Sequence, residues 1–303
     1  MSNIVIIGSM NMDLVVITSR RAHPGETIFG EEFLTVPGGK GANQAVAAAR
    51  LGAKVHMVGA VGNDSFGASI FQNLKKEGIN TTNIQVLSDE STGTAHITVA
   101  EGDNTIIVIP AANARLSVDI IQSIRKLIED ASIVILQLEV PLTTVAYAID
   151  LCNELQTPVL LNPAPAQALP KDMIDKATYL TPNEHEAKIL FPDDELEAVL
   201  KKYPNKLIVT EGEKGVRFYD GEQLIHVPAR NVEVVDTTGA GDTFNAAFAI
   251  GLTKGYKLKE AIEFANLAAG LSVGRLGAQA GMPTLEQLIQ VQGEMDEKNR
   301  RHQ

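Results

Sequence analysis

This 303-residue chain has no tryptophan, a single cysteine, and only 5% aromatic residues. Cys152 alone cannot close an internal disulfide, which fits a reducing compartment. It lies in the apolar stretch Ala146–Leu155, where a packed thiol is the simpler expectation than a nucleophile. Positive charge is also short: 26 Lys and Arg stand against 37 Asp and Glu, a formal net charge of −11. That balance excludes a general nucleic-acid binder, which needs a basic face, but not an anionic ligand held at a local site. No run approaches the ~18 apolar residues of a membrane span. The start, Met1–Gly8, has a short apolar run and no basic lead, so it is expected to be a buried strand rather than a secretion signal. A cytoplasmic protein is the resulting expectation. The six histidines, at 23, 56, 96, 185, 226 and 302, include no i,i+4 pair, so a histidine metal cluster is not expected. A G-x-S-x-G elbow and a G-x-x-x-x-G-K-[ST] phosphate loop are both missing, which removes the anchors of an α/β-hydrolase and a P-loop ATPase.

What is present is a globular composition, 45% apolar and 21% charged, with 25 glycines. At ~100–200 residues per domain, the length fits one large domain or a main domain with an appendage. Apolar strand-like runs (Ile4–Ile7, Val55–Val58, Ile133–Leu138, Val159–Leu161, Lys206–Thr210) alternate with helical patterns (Ala42–Leu51, the helix capped by Asp64, the one capped by Ser117, the one opened by Pro141, Ala240–Leu252, Leu258–Val273). Thr284 and Gln287 form a capping box for a last helix. This alternation predicts an α/β fold: a mostly parallel central sheet with helices on both faces, a three-layer α/β/α sandwich. Residues 13–36 and 93–109 break it with strand pairs, and are expected to build a small β-sheet lid on a single domain. A (β/α)₈ barrel is the alternative, and those two hairpins argue against it.

Six segments could carry chemistry. Asp236-Thr237-Thr238-Gly239-Ala240-Gly241-Asp242 follows a strand-like stretch, Val232–Val235, and runs into an Ala-rich helix. Small residues at 239–241 let backbone N–H groups converge on an anion at a helix N-terminus, and place Asp242 beside it as a base for an alcohol attacking a phosphoryl group. A Gly-rich turn with Asp242 as a helix cap is the other reading of the same residues. Gly38-Gly39-Lys40-Gly41-Ala42-Asn43-Gln44 partly mimics a dinucleotide fingerprint, but lacks its last glycine and the later acidic residue. It leaves a tight turn with Lys40 and Asn43 as donors for a polyhydroxyl ligand, or a solvated lysine on a helix start. Asn11 and Asp13, two apart in extended backbone, face one side and could grip a sugar, or form an Asx-rich turn. Gln137-Leu138-Glu139 and Thr181–Glu186 put carboxylates at strand ends, suited to Mg²⁺ or to a helix N-terminus. Thr210–Gly215 ends a strand and could cover a nucleotide.

In this order the segments, with Asn162–Ala166, resemble the PfkB-type carbohydrate kinases over about residues 4–290. The resemblance implies ATP-dependent phosphorylation of D-ribose at O5. A kinase for 2-deoxyribose, another small sugar or a nucleoside is one alternative, and a sugar sensor without catalysis another. It implies that Asp242 is the general base and Gly239, Ala240 and Gly241 the anion hole. Asn11, Asp13, Gly39, Lys40, Asn43 and Glu139 would bind the sugar. Asn183, Thr210, Gly212, Gly215, Gly241 and Asn266 would lie around ATP. Glu186 would order Mg²⁺-bound water. A K⁺ ion would sit at Asp236, Thr238, Ser272, Arg275, Gly277 and Gly281, mostly on backbone carbonyls. The last position is often Ser in the family, so Gly281 removes a side-chain oxygen. The family also pairs its lids into homodimers, and residues such as Ile28, Phe29, Phe33, Ile97 and Val99 supply an apolar lid face.

Overall fold

The structure is a computed structural model that describes residues 2–230 and 232–301, with residues 294–301 described as backbone only. Along the chain, β1 (Asn3–Ile7) leads to β2 (Asn11–Ile17) and β3 (Glu32–Gly38), then α1 (Lys40–Arg50), β4 (Lys54–Gly62), α2 (Ser65–Lys76) and β5 (Asn80–Leu87). The hairpin β6 (Gly93–Ala100) and β7 (Asp103–Ile109) follows, then α3 (Val118–Ser123), α4 (Arg125–Glu129), β8 (Ile133–Leu136), α5 (Leu142–Glu154) and β9 (Val159–Leu161). Next come α6 (Lys171–Lys176), β10 (Tyr179–Leu180), α7 (Glu184–Leu190), α8 (Leu196–Lys202), β11 (Ile208–Thr210), β12 (Val216–Tyr219) and β13 (Leu224–Val227). The helices α9 (Ala240–Thr253), α10 (Leu258–Ser272) and α11 (Leu285–Arg301) close the chain.

Six parallel strands form the central sheet in the order β10-β9-β8-β1-β4-β5. Parallel bridges Leu180–Leu207 and Asn183–Thr210 carry it on to the antiparallel β11-β12-β13. Strand alternation makes the three layers. Ile4 and Ile6 point into one core with Ala45, Val46, Phe244, Phe248 and Ile262 of α1, α9 and α10. Val5 and Ile7 point into the other with Ile121, Val145 and Ile149 of α3 and α5. β1 pairs β4 on one side and β8 on the other, so the strand order reverses at the β1–β8 boundary. Ligands of open α/β sheets bind at the carboxyl ends of strands flanking such a point. An open sheet of this order excludes the barrel.

The small sheet has the order β3-β2-β6-β7, with both hairpins antiparallel and β2 parallel to β6. It reaches further than expected at one end, because pairing already begins at Asn11 with Gly38. Every residue of β7 is exposed, as are Phe29 and Phe33.

Some local expectations shift. The helix after Gly39 starts at Lys40, not Ala42. Val232–Val235 is no strand: Val235 and Asp236 both donate their amides to the Val273 carbonyl, and Val234 and Val235 are exposed. Ser117 occupies its cap position without a side-chain cap bond, whereas Asp64 accepts from the Gly67 amide at 2.8 Å. Thr284 and Gln287 do form the reciprocal capping box.

Candidate active site

Four chain segments meet around Asp242. Gly239, at φ 80°, turns the backbone into α9, a left-handed conformation that costs glycine little. Asp242 follows in the first helical turn, buried. Its Oδ2 accepts from Asn43 Nδ2 and its Oδ1 from Gln44 Nε2, each at 3.0 Å. Those donors come from α1, which Gly39 starts at φ 88°. The amides of Gly241 and Asp242 have no hydrogen-bond acceptor among the described residues, as expected of a helix N-terminus, and a Cβ added to Gly241 would meet nothing within 4 Å. Three small residues thus leave an open face rimmed by N–H groups beside a carboxylate.

The end of β1 lies against the same place. Gly41 packs so close to Gly8 and Ser9 that an added Cβ would sit 2.7 Å from their backbone atoms. Glu139, just beyond β8, accepts from the Ser9 hydroxyl and, at 3.2 Å, from the Lys40 amide. Asn11 is buried, and its Oδ1 accepts from Asn113 Nδ2 at 2.8 Å. Asn113 also clasps the amide and carbonyl of Met10, which fixes the backbone that presents Asn11. Asp13 lies over Gly38, where a Cβ would come within 2.3 Å of its carboxylate.

The electrostatics are those of several acids around one cation. Burial, then Glu139 and Asp242, push Asp13 up to about 7, against the pull of Lys40. Burial also raises Asp242 above the ordinary carboxylate range, although Lys40, Asn43 and Gln44 oppose it. Burial pulls the Lys40 ammonium down, but Asp242, Glu139, Glu186 and Asp13 outweigh it and raise it. Lys40 therefore stays charged and holds the acids together.

A second group of residues lies where β10 leads on to β11. Asn183 caps α7 in a reciprocal box with Glu186, both bonds 2.8 Å. Glu186 is buried, which raises its pKa, and it faces Lys40. Thr210 bridges to Asn183, and the 3₁₀ turn Gly212–Lys214 ends at Gly215, whose φ is 105°. An added Cβ on Gly215 would collide with the backbone of Val227 and Ala229. Asn266 donates to the carbonyls of Val227 and Pro228, so the turn, this loop and α10 converge. A cavity of about 660 Å³ opens there, lined by Val227, Ala229, Arg230, Phe264 and Asn266 among others.

Third, Asp236 accepts from the Thr238 amide and hydroxyl at 2.9 and 2.7 Å and from the Gly277 amide at 2.8 Å. These bonds outweigh burial and hold Asp236 below the usual range. Gly281 is pressed onto the Ser272 carbonyl, where no Cβ fits without movement, so glycine is what this loop geometry takes. Arg275 is exposed. No group of three or more His, Cys, Asp or Glu suited to a metal ion exists among the described residues. A divalent ion here would need its oxygens from a bound phosphate as well as from protein.

Sequence reasoning assigned no part to Gln44, Gln137, Asn113 or Gln279. Gln44 and Gln137 lie inside the segments singled out, but Asn113 and Gln279 stand in no motif and reach the site only through the fold.

Comparison with known proteins agrees with this geometry. The sequence profile described as pfkB family carbohydrate kinase matches residues 1–285. The ribokinase of Bacillus subtilis (strain 168) is 51% identical over 284 residues, 94% of this chain and 97% of that protein. A deoxyribokinase of Salmonella typhi is 39% identical, covering 94% and 97%. The structure of Arabidopsis thaliana ribokinase complexed with ribose and ATP superposes with a TM-score of 0.87 at 32% identity, covering 96% of this chain and 98% of that one.

Proposed function

Since this chain belongs to the pfkB family of carbohydrate kinases, we propose that it transfers the γ-phosphoryl group of ATP to O5 of D-ribose, giving ribose 5-phosphate and ADP. The observation that carries the mechanism is Asp242, buried beside an open, N–H-rimmed helix start with both oxygens held by amide donors. The 51% identity to a ribokinase, against 39% to a deoxyribokinase, favours ribose.

Ribose lies among Asn11, Asp13, Gly39, Lys40, Asn43 and Glu139. Asp242 takes the O5 proton as O5 attacks the γ-phosphorus, and the bond to the ADP oxygen breaks. Charge on the transferring group meets the α9 dipole and the N–H groups of Gly239, Gly241 and Asp242, whereas the Ala240 N–H, expected among them from the sequence, is taken by the Thr237 carbonyl at 3.1 Å. Burial serves this step, because a carboxylate raised above its ordinary range is a better base near neutral pH. ATP lies along Gly241, Asn183, Thr210, Gly212 and Gly215, with its base toward Asn266 and the adjoining cavity. The donor chemistry fits two cations. Glu186 is a buried single carboxylate suited to ordering the water of a phosphate-bound Mg²⁺, which would neutralise phosphate charge. Asp236, Thr238, Ser272, Arg275, Gly277 and Gly281 offer oxygens for K⁺, which would support the anion-hole turn. The small sheet acts as a lid that excludes water. Its exposed Phe29, Phe33 and Ile107 support a homodimer through that face. No described helix is long and apolar enough to cross a membrane, and a cytoplasmic enzyme is the reading we favour.

The test is ADP release with ribose, 2-deoxyribose, fructose and nucleosides. Ribose should give the highest kcat/KM. A preference for another acceptor would reassign the substrate, and activity with none would favour a sensor. Equal rates in K⁺ and Na⁺ buffers would remove the K⁺ site. A monomeric mass by light scattering at micromolar concentration would remove the dimer.

A further inference from the structure

Two series of side-chain amides run through the interior to Asp242, and each has a single direction. Asn73 Nδ2 donates to Gln279 Oε1 at 2.9 Å, Gln279 Nε2 to Asn43 Oδ1 at 3.0 Å, and Asn43 Nδ2 to Asp242 Oδ2 at 3.0 Å. On the other side Gln137 Nε2 donates to Gln44 Oε1 at 2.6 Å, and Gln44 Nε2 to Asp242 Oδ1 at 3.0 Å and to Asn162 Oδ1 at 3.2 Å. Asn43, Gln44, Gln137 and Gln279 are all buried. A primary amide has one accepting and one donating end. Turning any one of these round would set two N–H groups or two carbonyls face to face, away from water, where mismatched polar groups are costly. The order of the series therefore decides that an N–H, and never a carbonyl, meets each carboxylate oxygen.

Gln279 is itself anchored from two helices. Its backbone carbonyl accepts from Arg50 Nη1 of α1, Arg50 pairs with Glu77 at the end of α2, and Asn73 of α2 fixes its side chain. Gln137 follows β8 and is held by packing alone: its Oε1 is buried against Gly8 without a hydrogen-bond partner, and only its Nε2 is engaged, on Gln44. Neither residue touches Asp242.

We propose that Gln279 and Gln137 are positioning residues that set the sense of the two amide series, so that both Asp242 oxygens are oriented by N–H donors for the proton they take from the substrate hydroxyl. The proposal rests on the reading of Asp242 as the base. Without the Gln279 donor the Asn43 amide is free to turn. Its carbonyl can then face the carboxylate, against the ionised form. Lys40, Glu139, Asp13 and Glu186, which also surround Asp242, are untouched by either change.

Double-mutant cycles test it, with ADP release, ATP KM and thermal melting read on the full chain. Gln279→Leu should melt cooperatively and keep its ATP KM, yet lose about tenfold in kcat, the size of one hydrogen bond to a charged group. In an Asn43→Ala background the same substitution should change kcat by less than about twofold, because its route to Asp242 is already cut. Gln137→Leu should behave in the same way in wild-type and Gln44→Leu backgrounds, and serves alone if Gln279→Leu does not fold. A folded variant with wild-type kcat, or a penalty repeated in full in the second background, would overturn the proposal. Failure of the wild-type chain to release ADP with any sugar would instead take down the kinase reading.

Discussion

The two glycine-bearing turns that meet at Asp242 are built alike and packed differently. Each places a glycine at positive φ before a helix, Gly39 before α1 and Gly239 before α9. The α1 turn is closed. A Cβ on Gly38 would come within 2.3 Å of Asp13, one on Gly39 within 2.7 Å of the Asn11 amide, and one on Gly41 within 2.7 Å of Gly8 and Ser9. The α9 turn is closed only where it begins, with Gly239 against the Ala278 carbonyl at 2.8 Å; at Gly241 nothing is near. Packing therefore accounts for glycine at 38, 39 and 41 and not at 241. Glycine inside a helix is about 1 kcal/mol less favourable than alanine. At Gly241 this cost falls beside N–H groups without acceptors, which suits the close approach of another molecule to the backbone.

The largest effect belongs to the residue both turns serve. Asp242→Asn keeps the shape but removes the carboxylate we propose as the base, so kcat should fall by about 10²–10⁴. Its melting temperature should change little, because relief of a buried negative charge offsets the mismatch of the new N–H₂ group against one of the two donors, Asn43 and Gln44. Near-normal ADP release by this variant would break the comparison, since the α9 turn would then have no chemical partner in α1.

Next comes the acid over the closed turn. The folded-state pKa of Asp13 is about 7 and its ordinary value is 3.8. Between those values the folded state binds a proton the unfolded state has released, so wild-type stability falls as pH rises toward 7. Below pH 4 the effect vanishes. Asp13→Asn does not titrate, and its stability relative to wild type should grow between pH 5 and pH 8, by up to about 2.5 kcal/mol. Parallel melting profiles for the two proteins across that range would show that the closed turn does not burden its carboxylate.

The closed turn also shows what the sequence could and could not carry. Alternating apolar strands and Ala-rich helices pointed to the layered sheet, and Gly38–Gln44 and Asp236–Asp242 marked the two turns, because these are local patterns. Lys40 as the first helical residue was not legible, since it depends on Gly39 adopting a positive φ against Asn11. Val232–Val235 has a strand's composition, yet it runs as an exposed loop pinned by the distant Val273 carbonyl. The edge strand β5, Asn80–Leu87, is too polar to announce itself by hydrophobicity. Gln279 and Asn113 reach the site across separations of 236 and 102 residues, to Asn43 and Asn11 respectively, and no spacing rule spans such distances.

Gly41→Ala sets the packing side of the comparison. Alanine is the better helix former, but here its methyl meets backbone rather than a flexible side chain. The strain should win and cost about 1–3 kcal/mol. At roughly 2 °C per kcal/mol for a chain of this size, melting should drop by several degrees. An unchanged melting temperature would mean that the contact of α1 with the end of β1 yields easily.

Gly241→Ala makes the smallest change in the fold and separates the two turns most cleanly. The added methyl meets no protein atom within 4 Å, so only helix propensity acts on stability. The variant should be equally stable or up to about 1 kcal/mol more stable than wild type, a rise of no more than about 2 °C. The same methyl would occupy the space in front of the Gly241 and Asp242 amides, where we place the transferring phosphoryl group. Turnover should therefore fall by about tenfold or more, within the range seen when one anion-hole donor is lost. Stability and activity thus move in opposite directions at 241, whereas at 41 the methyl costs stability. A Gly241→Ala protein that melts higher and turns over normally would show that the open face is not where phosphate sits, and the anion hole would have to be sought elsewhere along the α9 turn.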